Sequence, residues 1–184
     1  MDPLLLVSIV ILIICTLGLS WFAGSDAPFV ATKIDFIRKV LKKAGVKKGK
    51  IFYELGSGDG RVVLEAAKLG ANSHGVEQSW IRVWWSRYQA KKKRLKNCHF
   101  YHGDIFQRNY YIADFVYIFL LPKGVEKLEK KLKAELKKDS VIITQTFHFK
   151  SLKPFKKIAL TKKEQADFLG PNQYAGDFWI YKIS

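Results

Sequence analysis

Acidic residues are scarce in this chain. Sixteen Asp and Glu stand against 32 Lys and Arg, a formal net charge of +16 over 184 residues. So marked an excess makes anionic lipid and nucleic acid the macromolecular neighbours to consider. Cysteine is nearly absent too, and Cys15 and Cys98 make no recognisable metal or redox spacing. Cys15 lies inside an apolar run, which argues against a structural disulfide and fits a reducing compartment. His99 and His102 reach no metal-ligand spacing with another residue, so no metal is expected. Internal repeats are missing. With 48% hydrophobic residues, the remainder suits one domain and a short appendage.

Charge is missing altogether from residues 4–23, a run rich in Leu, Ile and Val. About 20 such residues at a helical rise match a bilayer core of roughly 30 Å. Trp21 and Phe22 sit where interfacial aromatics belong. No Lys or Arg precedes the run, unlike a cleaved signal peptide. The run therefore reads as a single-pass transmembrane helix. Lys33, Arg38, Lys39, Lys42 and Lys43 follow it and only Asp2 precedes it. Those charges place the N-terminus outside and the globular part in the cytoplasm. The expected organisation is a membrane anchor over residues 1–24 and a globular domain over 25–184, its basic surface near anionic lipid.

The globular part is organised around one stretch. Ile51, Phe52, Tyr53, Glu54 and Leu55 have strand composition, and Gly56-Ser57-Gly58-Asp59-Gly60-Arg61 follows before a helical pattern. A phosphate loop needs Gly-Lys-Ser/Thr, which Arg61, Val62 and Val63 do not supply. A dinucleotide fingerprint needs Gly or Ala where Arg61 stands. What remains is acid-x-Gly-x-Gly-x-Gly, from Glu54 to Gly60. It looks like motif I of the class I S-adenosylmethionine-dependent methyltransferases. On that resemblance Glu54 suits the methionyl ammonium. Gly56, Ser57, Gly58, Asp59 and Gly60 admit the carboxylate and ribose. The plainer alternative is a strand-to-helix turn with no ligand.

The rest of the chain fits the same pattern. Ile34, Ile37, Val40 and Leu41 recur at helical spacing before Gly45. Residues 72–77 read as a second strand ending in Glu77, near the interval at which an acid meets ribose hydroxyls, with Gln78 beside it. A helix N-terminal acid is its other role. In residues 79–95, Trp80, Val83, Trp84 and Tyr88 mark a packing face, and Lys91-Lys92-Lys93-Arg94 a basic end. Core aromatics before a cationic helix terminus are the preferred reading, and a nucleic-acid surface the alternative. A third strand follows over 98–102, then Asp104 and Ile105. By the methyltransferase resemblance these two meet the adenine amino group and ring. Residues 113–122 read as a long central strand buried on both faces. By the same resemblance Phe119, Leu120, Leu121 and Pro122 floor the acceptor site. An amphipathic helix spans 124–136. Strands are expected over 139–146, 157–160 and 178–183. No residue announces itself as a general base.

Taken together, Pro28-Phe29-Val30-Ala31-Thr32, the segment Tyr53 to Arg61, Phe119-Leu120-Leu121-Pro122, Phe147-His148-Phe149 and Pro154 occur in order. This resembles the small protein-lysine methyltransferases related to the enzyme that modifies the c subunit of ATP synthase, including archaeal relatives. The resemblance implies an α/β fold with a Rossmann-like seven-strand methyltransferase sheet, mostly parallel with an antiparallel last strand, here joined to the N-terminal transmembrane helix. It implies S-adenosyl-L-methionine as cofactor and lysine of a protein as acceptor. Small-molecule, lipid and RNA methylation, and a non-catalytic scaffold, stay as alternatives. Two departures stand out. Ala31 replaces a proline of the family, and Thr144-Gln145-Thr146-Phe147 stands where archaeal relatives carry Ser-His-Glu-Phe.

Overall fold

The computed structural model describes residues 2–22, 30–161 and 176–184, and side chains of the first helix as far as Thr16. The linker residues 24–29, including Pro28 and Phe29, lie outside the described residues, as do the side chains of Trp21 and Phe22.

Helix α1 covers Pro3–Phe22 and α2 covers Ile34–Ala44. Helix α2 buries Phe36, Ile37, Val40 and Leu41, the stripe its spacing dictates. Gly45 ends it at φ 92, donating its amide back to Lys42 O while Val46 N reaches Leu41 O. That left-handed turn is one only glycine takes without strain. Strands β1 (Ile51–Leu55), β2 (Asn72–Glu77) and β3 (Cys98–His102) alternate with helices α3 (Arg61–Lys68) and α4 (Trp80–Lys92). Strand β4 (Phe115–Ile118), helix α5 (Pro122–Glu135), strand β5 (Val141–Gln145), and strands β6 (Lys156–Ile158) and β7 (Phe178–Lys182) complete the chain.

These strands form a seven-stranded sheet in the order β3-β2-β1-β4-β5-β7-β6. Strands β1 to β5 run parallel, while β7 pairs antiparallel with β5 and β6. The expected Rossmann-like sheet with an antiparallel last strand is what the chain forms. Strand order reverses between β2 and β4 around β1, so the crevice at the C-terminal ends of β1 and β4 is where a ligand site belongs. One core cluster sets Ile37 and Leu41 of α2 against Phe52, Tyr117 and Phe178. The other sets Leu128 and Leu132 of α5 against Leu55, Val116 and Tyr181.

Three expectations are corrected. The transmembrane helix is the first: among the described residues no helix is long and apolar enough to cross a membrane. The single-pass anchor is withdrawn, and the orientation expected from charge presupposed it. The second concerns α4, where Val83 is buried but Trp80, Trp84 and Tyr88 are exposed. Those aromatics are not core. The third is length. Strand β4 stops at Ile118, and Pro122 opens α5 at a position where its missing N–H costs nothing. Strand β5 is likewise shorter than 139–146, because Asp139 (φ 69) and Thr146 (φ 68) take left-handed backbone at its two flanks.

Glu129 of α5 anchors the chain after β5. Its carboxylate accepts the amides of Lys150, Ser151 and Leu152 at 3.0, 2.7 and 2.8 Å, and the Ser151 hydroxyl at 2.7 Å. Burial works against ionisation, but these donors outweigh it and hold the carboxyl below its ordinary range. A carboxyl lowered on folding stabilises the fold above its unfolded-state value, and that gain is lost as pH falls through the lowered value. Glu129→Gln should therefore cost roughly 1–3 kcal/mol at neutral pH. The gap to wild type should close in acid, as urea unfolding curves at the two pH values would measure.

Candidate functional site

The sheet turns its switch point into a cavity of about 910 Å³ above the ends of β1 and β4. Its floor begins at Glu54, which β1 places between Gly75 of β2 and Tyr117 of β4. Glu54 is buried, and its Oε2 has no hydrogen-bond partner among the described residues. Burial, then the negative charge of Asp59, raises its carboxyl well above the usual range. The site therefore holds an acid that is short of a cation. An ammonium group entering beside it would relieve both effects.

The glycine turn lies directly above. Gly56 and Ser57 donate their amides to Val76 O at 2.9 and 3.0 Å, hooking the turn onto β2. Gly56 has φ 82, and a Cβ there would come within 3.0 Å of Leu120, so this side of the cavity wall approaches the backbone closely. Glu77 closes the turn from the far side. Its carboxylate accepts Gly58 N at 2.9 Å and Ser79 N at 3.0 Å, with Arg82 Nη1 at 3.8 Å. Glu77 thus lines the cavity and also holds the start of α4. A carboxylate has about four lone-pair sites, leaving capacity for ribose hydroxyls.

Of the residues singled out from sequence, Glu54, Gly56, Ser57, Gly58, Asp59, Glu77, Gln78 and Ile105 line this cavity, as do Phe119, Leu120, Leu121 and Pro122. Gly60 and Asp104 do not. Gly60 stands at the start of α3 with φ 80, where a Cβ would strike Phe100 and Ser86 at 2.7 Å. Its role is close packing beneath the turn. Asp104 spends a carboxylate oxygen on Phe106 N at 2.8 Å, shaping its own loop.

Several contributors were not legible beforehand. Arg61 grips Asp59 with its guanidinium, Nε to Oδ1 at 2.9 Å and Nη2 to Oδ2 at 2.5 Å, and donates Nη1 to Thr32 O at 3.0 Å. It thereby ties the glycine turn to residues 30–32, which form another cavity wall. Thr32 Oγ1 and Tyr117 Oη both donate to Gln145 Oε1, at 2.9 and 2.5 Å. Burial, and next the Glu54 charge, keeps Tyr117 a protonated donor. Three segments distant in sequence meet there. No periodicity or spacing could have announced the junction, although Thr32 was part of a quoted motif. Arg82 and Lys123 also line the cavity. Thr146 borders a second cavity of about 270 Å³ with Phe147, His148 and Trp179; the carboxylate on that side is Glu126, paired with Lys150 at 3.0 Å. Among the described residues no group of His, Cys, Asp or Glu is arranged to hold a metal.

Comparison with known proteins bears on this geometry. The ANTKMT methyltransferase domain model matches residues 54–156. The human lysine N-methyltransferase of the ATP synthase c subunit is 36% identical over 123 residues, 66% of this chain and 52% of that protein. A protein-lysine N-methyltransferase of Saccharolobus islandicus is 30% identical over 130 residues, 69% of this chain and 81% of that protein. The chain thus spans about half the length of the human relative it matches. Among solved structures, an RNA methyltransferase from Salinibacter ruber in complex with S-adenosyl-L-homocysteine has a TM-score of 0.74 at 26% identity, covering 84% of this chain and 94% of that one. The family model matches more than half of the sequence, running from the acid that opens the glycine turn to the first residue of β6, and so the chain belongs to the ANTKMT methyltransferase domain family.

Proposed function

We propose that this chain is an S-adenosylmethionine-dependent methyltransferase acting on lysine side chains of a protein. The observation that carries the reading is one cavity with two unlike ends. One end holds a buried acid, with an oxygen left unpartnered, under a glycine turn, and the other is walled by Phe119, Leu120, Leu121 and Phe147. The buried acid fits the methionyl ammonium, and the remaining capacity of Glu77 fits the ribose. When bound, the cofactor supplies an activated methyl group. The protein relatives' names support lysine as the acceptor class.

The chain's own part is positioning and desolvation. Holding donor and acceptor in line can account for much of a methyl transfer rate. A lysine ammonium must first lose its proton, and an apolar wall disfavours the charged form. Tyr117 and Thr32 turn their protons to Gln145, so their oxygen lone pairs remain to accept an N–H from the amine. Methylation of RNA is a second reading, favoured by the net charge of +16 and by the Salinibacter ruber neighbour.

Glu54→Gln should weaken S-adenosylmethionine binding on the order of tenfold to a hundredfold. It should leave methylthioadenosine, which lacks the ammonium, unaffected, whereas Glu77→Gln should weaken both ligands. Calorimetry on the folded variants tests this pattern, and equal losses for both ligands with Glu54→Gln would remove the ammonium role. For the acceptor, incubation with labelled S-adenosylmethionine and candidate protein and RNA fractions should place label on lysine after hydrolysis. The rate should rise with pH as the amine deprotonates. Label recovered only in nucleotides would replace the lysine reading by the RNA one.

A further inference from the structure

We propose that the exposed face of α4, together with the basic segment that follows it, is a docking surface for an anionic lipid membrane, engaged peripherally and without a span. Trp80, Trp84 and Tyr88 are four residues apart and so form one stripe along the helix. Their exposures are 62%, 66% and 46%, very high for aromatic rings. Neighbouring rings hold one another in place. Trp84 stacks on Tyr88 with centroids 6.2 Å apart, and Trp80 stacks on His102 at 4.0 Å. The stripe runs into Lys91, Lys92, Lys93, Arg94 and Lys96, all exposed, and no acidic residue interrupts residues 78–97.

Helix α1 lies against α4. Its described side chains from Leu4 to Ile14 are exposed and almost wholly apolar. Its described hydroxyls bond back to the helix, Ser8 to Leu4 O and Thr16 to Leu12 O, each at 2.9 Å. The apolar helix is thus a neighbour of the helix that carries the aromatic stripe and leads into the cationic end. Those three chemistries match acyl chains, the interface and lipid phosphates. A nucleic-acid strand would stack on the rings and pair with the lysines, but it has no use for the apolar helix beside them. Because Glu77 and Gln78 line the cavity just before α4 begins, docking on this face brings the cavity to the lipid surface. Docking of this kind does not depend on methyl transfer.

The test is cosedimentation of the full chain with phosphatidylcholine vesicles, with or without phosphatidylglycerol, beside binding to polyuridylate. The chain should prefer the anionic vesicles and lose that preference in high salt. The double variants Trp84→Ser/Tyr88→Ser and Lys91→Glu/Lys92→Glu should each weaken anionic-vesicle binding on the order of tenfold. S-adenosylmethionine affinity and near-ultraviolet circular dichroism should stay unchanged, which separates lost docking from lost folding. Unchanged vesicle binding in both variants would assign all lipid affinity to α1 and overturn the proposal. Equal binding to neutral and anionic vesicles would also overturn it, as would a preference for polyuridylate that the same substitutions abolish.

Discussion

Glu77 is the tie on which the site depends. Its two carboxylate oxygens take the amide of Gly58 in the turn after β1 and the amide of Ser79 at the start of α4. The turn and the second crossover are thus held by one buried group, with the Arg82 guanidinium nearby. A carboxylate in this position is stabilised by amide donors and by the helix N-terminus rather than by water. Because those bonds are made within the protein, the glycine turn is held in shape from both sides. Preorganisation of that kind lowers the entropy lost when a ligand is bound.

The cavity is built on a contrast of polarity. Glu54 lies buried and short of a cation, while Leu120 packs within reach of the Gly56 backbone a few ångströms away. The unmet polar demand of Glu54 and the hydrocarbon wall of Phe119, Leu120 and Leu121 thus share one cavity with the charged groups of Asp59, Glu77, Arg82 and Lys123. Gln145 adds rigidity without charge. By accepting from both Thr32 and Tyr117 it joins β5, β4 and the segment before α2. The family departure at Thr146 falls outside this junction, on the smaller cavity that Glu126 and Lys150 also line.

Charge and aromatic surface follow from the same limits on space. Beside the buried Arg82, the inner positions of α4 are filled by Val83, Ser86 and Ala90, small enough to let the helix lie close to Phe100 and the glycine turn. A tryptophan there would not fit against a turn in which even a Cβ on Gly60 would clash. The large rings are therefore displaced to the outside, next to the lysines.

Much of this was legible from sequence. Helical spacing located α2 nearly to its bounds, because its apolar stripe reflects one buried face, and the short run ending in Glu77 located β2 to the residue. The acid and alternating glycines located the cavity, since left-handed backbone at Gly56, Gly58 and Gly60 is a local property. What only the tertiary structure decided are matters of which residues meet. The sequence pattern could not say that Arg61 would grip Asp59, that Gly60 and Asp104 would not line the cavity, or that the α4 rings would stay outside. Nor did a run of apolar residues by itself settle a membrane span. Local composition fixes backbone preference and which face is buried, but long-range packing decides which of several apolar or polar groups has room at a given contact.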